Sequence, residues 1–361
     1  MQLPTSEHEE LRATCRKLLS RNATSERIRE VSNSPTGEDD AFWKQIADLG
    51  WTTITIPEEY EGIGQGLVEL AILAEEFGRA LQPSPIIPSS VATWVIQRHG
   101  SEGLRSQLLP QLASAEAIAS WGLQGPGDNG PLTISSGRIS GRRLYVPEAH
   151  RASHLAVDAQ LDGKRVLAVV DTTAEGVTIE RQHTLDLTRR YFAVAFDSTP
   201  ITGDGLLSSD DAQSDLFRAG VVLQCAESVG IARRLLDLTV DYVSTRRQFD
   251  RAIGSFQAIK HRIADMYIQL EGSVVATEEA AWAVEHRRSD ADVSVHVAKS
   301  WTGRSASAIA SDSLQLHGGI AFTWEHDLHL FLRRAKVNEL LLGTPAWHDE
   351  QLFRALAAGT A

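Results

Sequence analysis

Residues Arg246–Gln257 read RRQFDRAIGSFQ, and AIKHRIADM follows at Ala258–Met266. The stretch opens on paired cations, Arg246-Arg247, passes an aromatic at Phe249 and a turn-like Asp250–Ser255, and enters a helix at Phe256-Gln257. Ser255 is the expected N-cap, its hydroxyl accepting from free first-turn amides. A guanidinium beside a helix start suits a pyrophosphate, because one supplies a fork of donors and the other a positive dipole end. Taken alone, the stretch also reads as an interhelical loop with solvated arginines.

A second stretch lies further on, at Asp312–Lys336: DSLQLHGGIAFTWEHDLHLFLRRAK. Together the two resemble the acyl-CoA dehydrogenase family, flavoenzymes that desaturate acyl-CoA thioesters. That family carries an R-x-x-F-G…F-Q block followed by a Q-x-x-G-G-x-G-F/Y block at similar spacing. The resemblance is weak over most of the chain and strongest over Ala226–Thr344.

The 361 residues suffice for two or three cores. A formal net charge of -12, with no local Lys/Arg-rich cluster, argues against a nucleic-acid partner. No apolar run reaches the roughly 18 residues a membrane helix needs. The polar start, MQLPTSEHEELRATCRKLL, does not read as a signal peptide. Cys15 and Cys225 make no disulfide or metal framework and suit a reducing, cytoplasmic location.

Along the chain, Ser6–Glu9 reads as a capping box before a helix. Further helices are expected near 39–49, 67–81, 90–98 and 101–115. The glycines of Gly62-Ile63-Gly64-Gln65-Gly66 sit in no βαβ unit, so a Rossmann reading fails. From about Ala117 to Leu206, short alternating runs with Gly and Asp punctuation predict an antiparallel sheet or small barrel. Beyond Asp210 long helical periodicity returns, at 216–245, 257–286, 294–316 and about 328–342. The expected class is α+β: an N-terminal helical domain (1–116), a central antiparallel β-barrel domain (117–206) and a C-terminal four-helix-bundle domain (207–361). The family has the same order.

Desaturating an acyl thioester needs a carboxylate to take the α-proton, a flavin to accept hydride, and donors to polarise the carbonyl. In the family, FAD is gripped from two sides: its ring lies on the β domain of one subunit, and its pyrophosphate and adenosine reach the helical domain of a neighbour. The resemblance assigns the neighbour's share here to Arg246, Phe249, Gln257, Gln315, Gly318 and Gly319. Gly318-Gly319 would let backbone amides approach an anion, and Gln315 can bond a nucleotide edge in either sense. A helix C-cap is the plainer reading of the two glycines.

The ring-side groups differ. The family's T-E-x-x-x-G-S-D loop appears as Leu123–Gly130, LQGPGDNG, and its W-I-T/S strand as Tyr145-Val146-Pro147, where proline offers no amide. The usual catalytic glutamate falls on Leu342, and a second known placement falls at or near Gly220. Arg334 replaces the family's aspartate. Glu227, seven residues from Gly220 and on the same helix face, is a candidate displaced base; a partly exposed residue or an interface ion pair is its other reading. Glu271 has a weaker claim. His317, His326 and His329 lack the partners of a metal site and read as surface, cap or interface residues.

The chain thus keeps what it would lend to a neighbour's flavin and lacks what its own would use. That pattern resembles the smaller, non-catalytic subunit of heteromeric acyl-CoA dehydrogenases, including those of steroid and cholesterol side-chain degradation. The expected partner is a homologous subunit in a heterotetramer, with an acyl-CoA substrate. A self-sufficient homotetramer with an unusual base and a flavin-free helical scaffold are the alternatives.

Overall fold

The computed structural model describes residues 5–34, 36–37, 39–207, 209 and 211–359. Six helices come first: α1 (Ser6–Asn22), α2 (Ser25–Asn33), α3 (Asp40–Asp48), α4 (Leu67–Ala80), α5 (Ile86–His99) and α6 (Glu102–Ala113). The capping box of α1 sits one residue earlier than its expected place. Thr5 is the N-cap, and His8 returns the bond that a glutamate usually makes. The sequence reading missed α2. It also began α5 too late, near residue 90 rather than at Ile86. Pro88 lies in the first turn, where a missing amide has no intrahelical partner to lose.

Eight strands follow: β1 (Ala119–Gly122), β2 (Leu132–Ser135), β3 (Arg138–Pro147), β4 (His154–Leu161), β5 (Lys164–Asp171), β6 (Val177–Gln182), β7 (Tyr191–Pro200) and β8 (Leu206–Leu207). Their order is β6-β7-β3-β2-β4-β5-β8, with β1 also on β4. Pairing is mostly antiparallel, but β1 and β2 both run parallel to β4. The path stays open between β6 and β8. One face buries Val146, Leu155, Val157, Val170, Phe192 and Val194 in a core of its own.

The chain then returns to helices: α7 (Ala212–Thr245), α8 (Gln257–Glu285), α9 (Ala291–His317), α10 (Leu328–Leu340) and α11 (Pro345–Gly359). The largest core joins the N-terminal helices, one edge of the sheet and the buried faces of α7 and α9. A second lies among α7 to α10. Two glycines let α4 and α7 cross at backbone contact. A Cβ on Gly78 would stand 2.1 Å from the Glu227 carbonyl oxygen, and one on Gly230 would stand 1.8 Å from that of Glu75. This crossing carries Glu227 into the interior. No described helix is long and apolar enough to cross a membrane.

Candidate functional site

The end of α7 leads into a tight hairpin. Arg247-Gln248 pairs with Arg251-Ala252, and the two residues between them, Phe249 and Asp250, both have positive φ, 52° and 61°. A right-twisted two-residue hairpin requires that handedness. It projects the Phe249 ring outward, 86% exposed and edge-on to Phe256 at 6.2 Å. The Arg251 guanidinium covers the other aromatic, 3.8 Å from the Phe256 centroid. Arg246 caps α7, and among the described residues its side chain has no hydrogen-bond or ion-pair partner. Ser255 is not the N-cap of α8. Its hydroxyl donates to the Ala252 carbonyl at 2.7 Å, drawn back by the short 3-10 turn, and Phe256 takes the cap position. The first amides of α8 therefore have no side-chain acceptor, and exposed Gln257 stands at that start.

Helix α9 ends beside them. Arg262 and Asp312 pair at 2.5 Å across α8 and α9, and Tyr242 of α7 stacks on His317 of α9 at 4.3 Å. The ends of α7 and α9 and the start of α8 thus share one end of the bundle. That end carries Arg246, Phe249, Gln257, Gln315, Gly318 and Gly319. Gly318 has φ 68° and ψ −146°, a conformation nearly confined to glycine, and a Cβ on either glycine would meet nothing within 4 Å. The space above the pair is open. Gly318→Ala is expected to lower stability by about 1–3 kcal/mol through backbone strain alone. Urea midpoints equal for the two proteins would contradict this.

A different arrangement occupies the middle of the molecule. Leu342 follows α10 in a left-handed turn, φ 59°, with Gly343 at 101°. A Cβ on Gly220 would lie 3.2 Å from Leu342 Cδ1 and 3.6 Å from Trp121 of β1. Leu123 and Phe217 pack against the same core. The two positions where a base was sought therefore touch each other, in apolar surroundings that cannot take a proton. The turn is held by His348 of α11, whose Nε2–H donates to the Leu342 carbonyl at 2.9 Å. That bond leaves His348 Nδ1 bare, so it accepts from His296 Nδ1–H at 2.9 Å. Burial pushes the His348 pKa down to about 3.

The nearby β-domain loop is closed on itself. Asp158 accepts from the Gln124 amide at 2.9 Å, and Asp128 accepts from the amides of Gly125 (2.8 Å) and Leu144 (2.9 Å). Asp158 also pairs with fully buried Arg143 at 2.7 Å. Tyr145 has φ 55° and gives its amide to Gln182 at 2.7 Å.

Glu227 is 1% exposed. One carboxylate oxygen meets Arg189, from the loop before β7, and Arg334 of α10 at 2.7 Å; the other accepts from Asn338 at 2.8 Å. Arg334 in turn pairs with buried Asp186 and donates to Thr188 Oγ1 at 2.6 Å. Two cations and two anions alternate in a neutral chain, Arg189–Glu227–Arg334–Asp186, between the β domain and two helices. Burial raises the Glu227 pKa, but the two guanidiniums outweigh it and hold the carboxyl below its ordinary range. Glu271 is half-buried on α8.

Of the three histidines, His317 is buried rather than on the surface, while His326 and His329 are half-buried. No group of His, Cys, Asp or Glu able to hold a metal ion occurs among the described residues.

The sequence matches "Acyl-CoA dehydrogenase, N-terminal domain" over residues 5–116 and "Acyl-CoA dehydrogenase, C-terminal domain" over 212–357. It is 31% identical to the acyl-CoA dehydrogenase IpdE2 of Mycolicibacterium smegmatis, across 97% of this chain and 98% of that one. The chain belongs to the acyl-CoA dehydrogenase family. These are FAD-dependent oxidoreductases. The chain is also 35% identical to FadE34 of Mycobacterium tuberculosis, over 84% of its own length but only 40% of that protein. Among solved structures, the ChsE4-ChsE5 complex from Mycobacterium tuberculosis superposes with a TM-score of 0.94 at 26% identity, covering 99% of both chains. The Tcur3481-Tcur3483 steroid dehydrogenase superposes at 0.91 with 29% identity, covering 98% of both.

Against the family's cofactor, the two regions test differently. The bundle end fits the anionic half of FAD: an unpartnered guanidinium, an uncapped helix start and open space over two glycines. The β-domain loop does not fit the ring half, because carboxylates of the same chain already take the amides of Gln124, Gly125 and Leu144. Trp121, Asp186, Arg189 and His348 escaped the sequence reading. Only their contacts mark them, since none belongs to a recognisable motif.

Proposed function

We propose that this chain is the non-catalytic subunit of a heteromeric acyl-CoA dehydrogenase. It pairs with a homologous subunit in the cytoplasm and completes that subunit's FAD site through Arg246, Phe249, Gln257, Gln315, Gly318 and Gly319. The observation that carries this reading is the packing of Leu342 and Trp121 against Gly220. Both base positions are filled by packing, while the dinucleotide end stays open. FAD, when bound, supplies the hydride acceptor for α,β-desaturation of an acyl-CoA. On this side of the site Arg246 would balance pyrophosphate charge, the glycine backbone would approach it closely, and Phe249 would cover a flat part of the nucleotide. The partner would hold the ring and the base.

Glu227 is on this reading a structural anion, since its lone pairs already serve two arginines and an asparagine. Exposed Ile320, Phe322 and Trp324, directly after the glycine pair, give the dinucleotide end an apolar rim of the kind a protein partner covers. The similarity to a steroid dehydrogenase and to the ChsE4-ChsE5 complex supports a heteromer acting on a bulky, ring-bearing acyl chain.

Arg246→Ala is the test. In the complex isolated with its co-purifying homologue, losing one charge-assisted phosphate contact should weaken FAD binding by about 1.5–3 kcal/mol, seen as lower flavin absorbance per complex. Unchanged occupancy would contradict the assignment. A yellow, active protein from this chain expressed alone would favour the self-sufficient alternative.

A further inference from the structure

His317 stands immediately before Gly318, buried at the junction of α7 and α9. Its ring lies flat on Tyr242, 21° from parallel. Tyr242 is one turn before Arg246, so the stack joins the last turn of α7 to the last turn of α9. His317 Nδ1 donates to the Ser313 carbonyl at 2.8 Å. Hydrogen bonding with the backbone of Ser313 and of Leu238, on α7, favours the doubly protonated ring, whereas burial and the charge of nearby His326 oppose it. Arg262 and Asp312 pair with one another across α8 and α9.

We propose that His317 is a positioning residue of the dinucleotide site. It sets Arg246 against Gly318-Gly319 by locking α7 to α9, and it takes up a proton when the pyrophosphate binds. This rests on the assignment of the bundle end to FAD. The physical reason is a balance. In the free chain, burial holds the ring below its ordinary pKa despite two backbone partners that prefer the charged form. A pyrophosphate over the adjacent glycines places negative charge beside the ring and shifts that balance toward the imidazolium. The bound state then binds more protons than the free state, so FAD affinity rises as pH falls and levels off once the free ring is protonated.

The test titrates FAD into the flavin-depleted complex by calorimetry, at several pH values between about 5.5 and 8 and in buffers of different ionisation enthalpy. The wild-type complex should bind FAD more tightly at lower pH, with a heat that depends on buffer and reports proton uptake. His317→Phe keeps a flat ring on Tyr242 and removes the ring nitrogens. It should bind FAD about fivefold to tenfold more weakly at the acid end and lose the pH slope. A wild-type affinity flat in pH and independent of buffer overturns the proposal, and that arm needs no variant. So does a slope retained in His317→Phe. Arg246→Ala separates the two readings. If it weakens FAD binding while His317→Phe keeps the slope, only the role of His317 fails; if it leaves FAD binding unchanged, the site assignment fails first.

Discussion

Glu227→Ala should destabilise the chain by about 3–5 kcal/mol, because it leaves Arg189 and Arg334 buried and facing each other without their shared anion. Arg334 is among the largest fully buried side chains and cannot turn to solvent, while Arg189 keeps 11% of its side chain exposed. Asp186 still neutralises one charge, which leaves a net positive charge in the interior. Glu227→Gln keeps the shape and the bond to Asn338 but not the charge, and its loss should be smaller. Urea unfolding of all three proteins checks the ordering. The outcome that sinks the structural role is a Glu227→Gln protein as stable as wild type that nonetheless abolishes turnover in the assembled enzyme, since that is how a base behaves.

Acid should act through the other buried pair. His348 carries an ordinary value of 6.5 when unfolded and about 3 when folded, so the unfolded chain takes the proton first. The stability from this group is therefore complete above about pH 6.5 and is lost as pH falls, by about 2 kcal/mol between pH 7 and 5 and by about 4–5 kcal/mol near pH 3. Burial in the cluster with His296, Phe217 and Trp347 is the main cause, and nearby Lys299 adds to it; Asp349 works weakly the other way. Asp292 and Arg218 set the charge around His296. A proton added at His348 Nδ1 would face the N–H of His296 and break that contact unless His296 gave up its own. His348→Phe should unfold more easily at pH 7, for want of the bond to Leu342, yet lose less stability between pH 7 and 5 than wild type. Equal losses for both proteins would place the acid sensitivity elsewhere.

The helix–strand–helix order was legible because each segment carries its own period, and a period needs no partner. The left-handed Gly318 was legible for a similar reason: a C-terminal glycine answers to its own φ. Ser255 misled because a serine before a helix has two local acceptors and donors to choose from, and the 3-10 turn at Ile253–Ser255 decides between them. The partners of Glu227 were out of reach, since Arg189 lies 38 residues away and Arg334 lies 107 away. Nothing in the spacing of charges that distant says which will be buried together.

The residues alone determined the layer order and the family, and the resemblance they carry pointed to Leu342 and the neighbourhood of Gly220 as the places where a base would stand. Only the tertiary structure decided that Leu342 and Trp121 both pack against Gly220, that Glu227 is spent on two guanidiniums, and that the bundle end is left open. Backbone periodicity and motif spacing are local properties of a chain. Which side chains exclude water from one another depends on the crossing of α4 with α7 and the seating of the β domain on α10, and those contacts form between segments far apart in sequence.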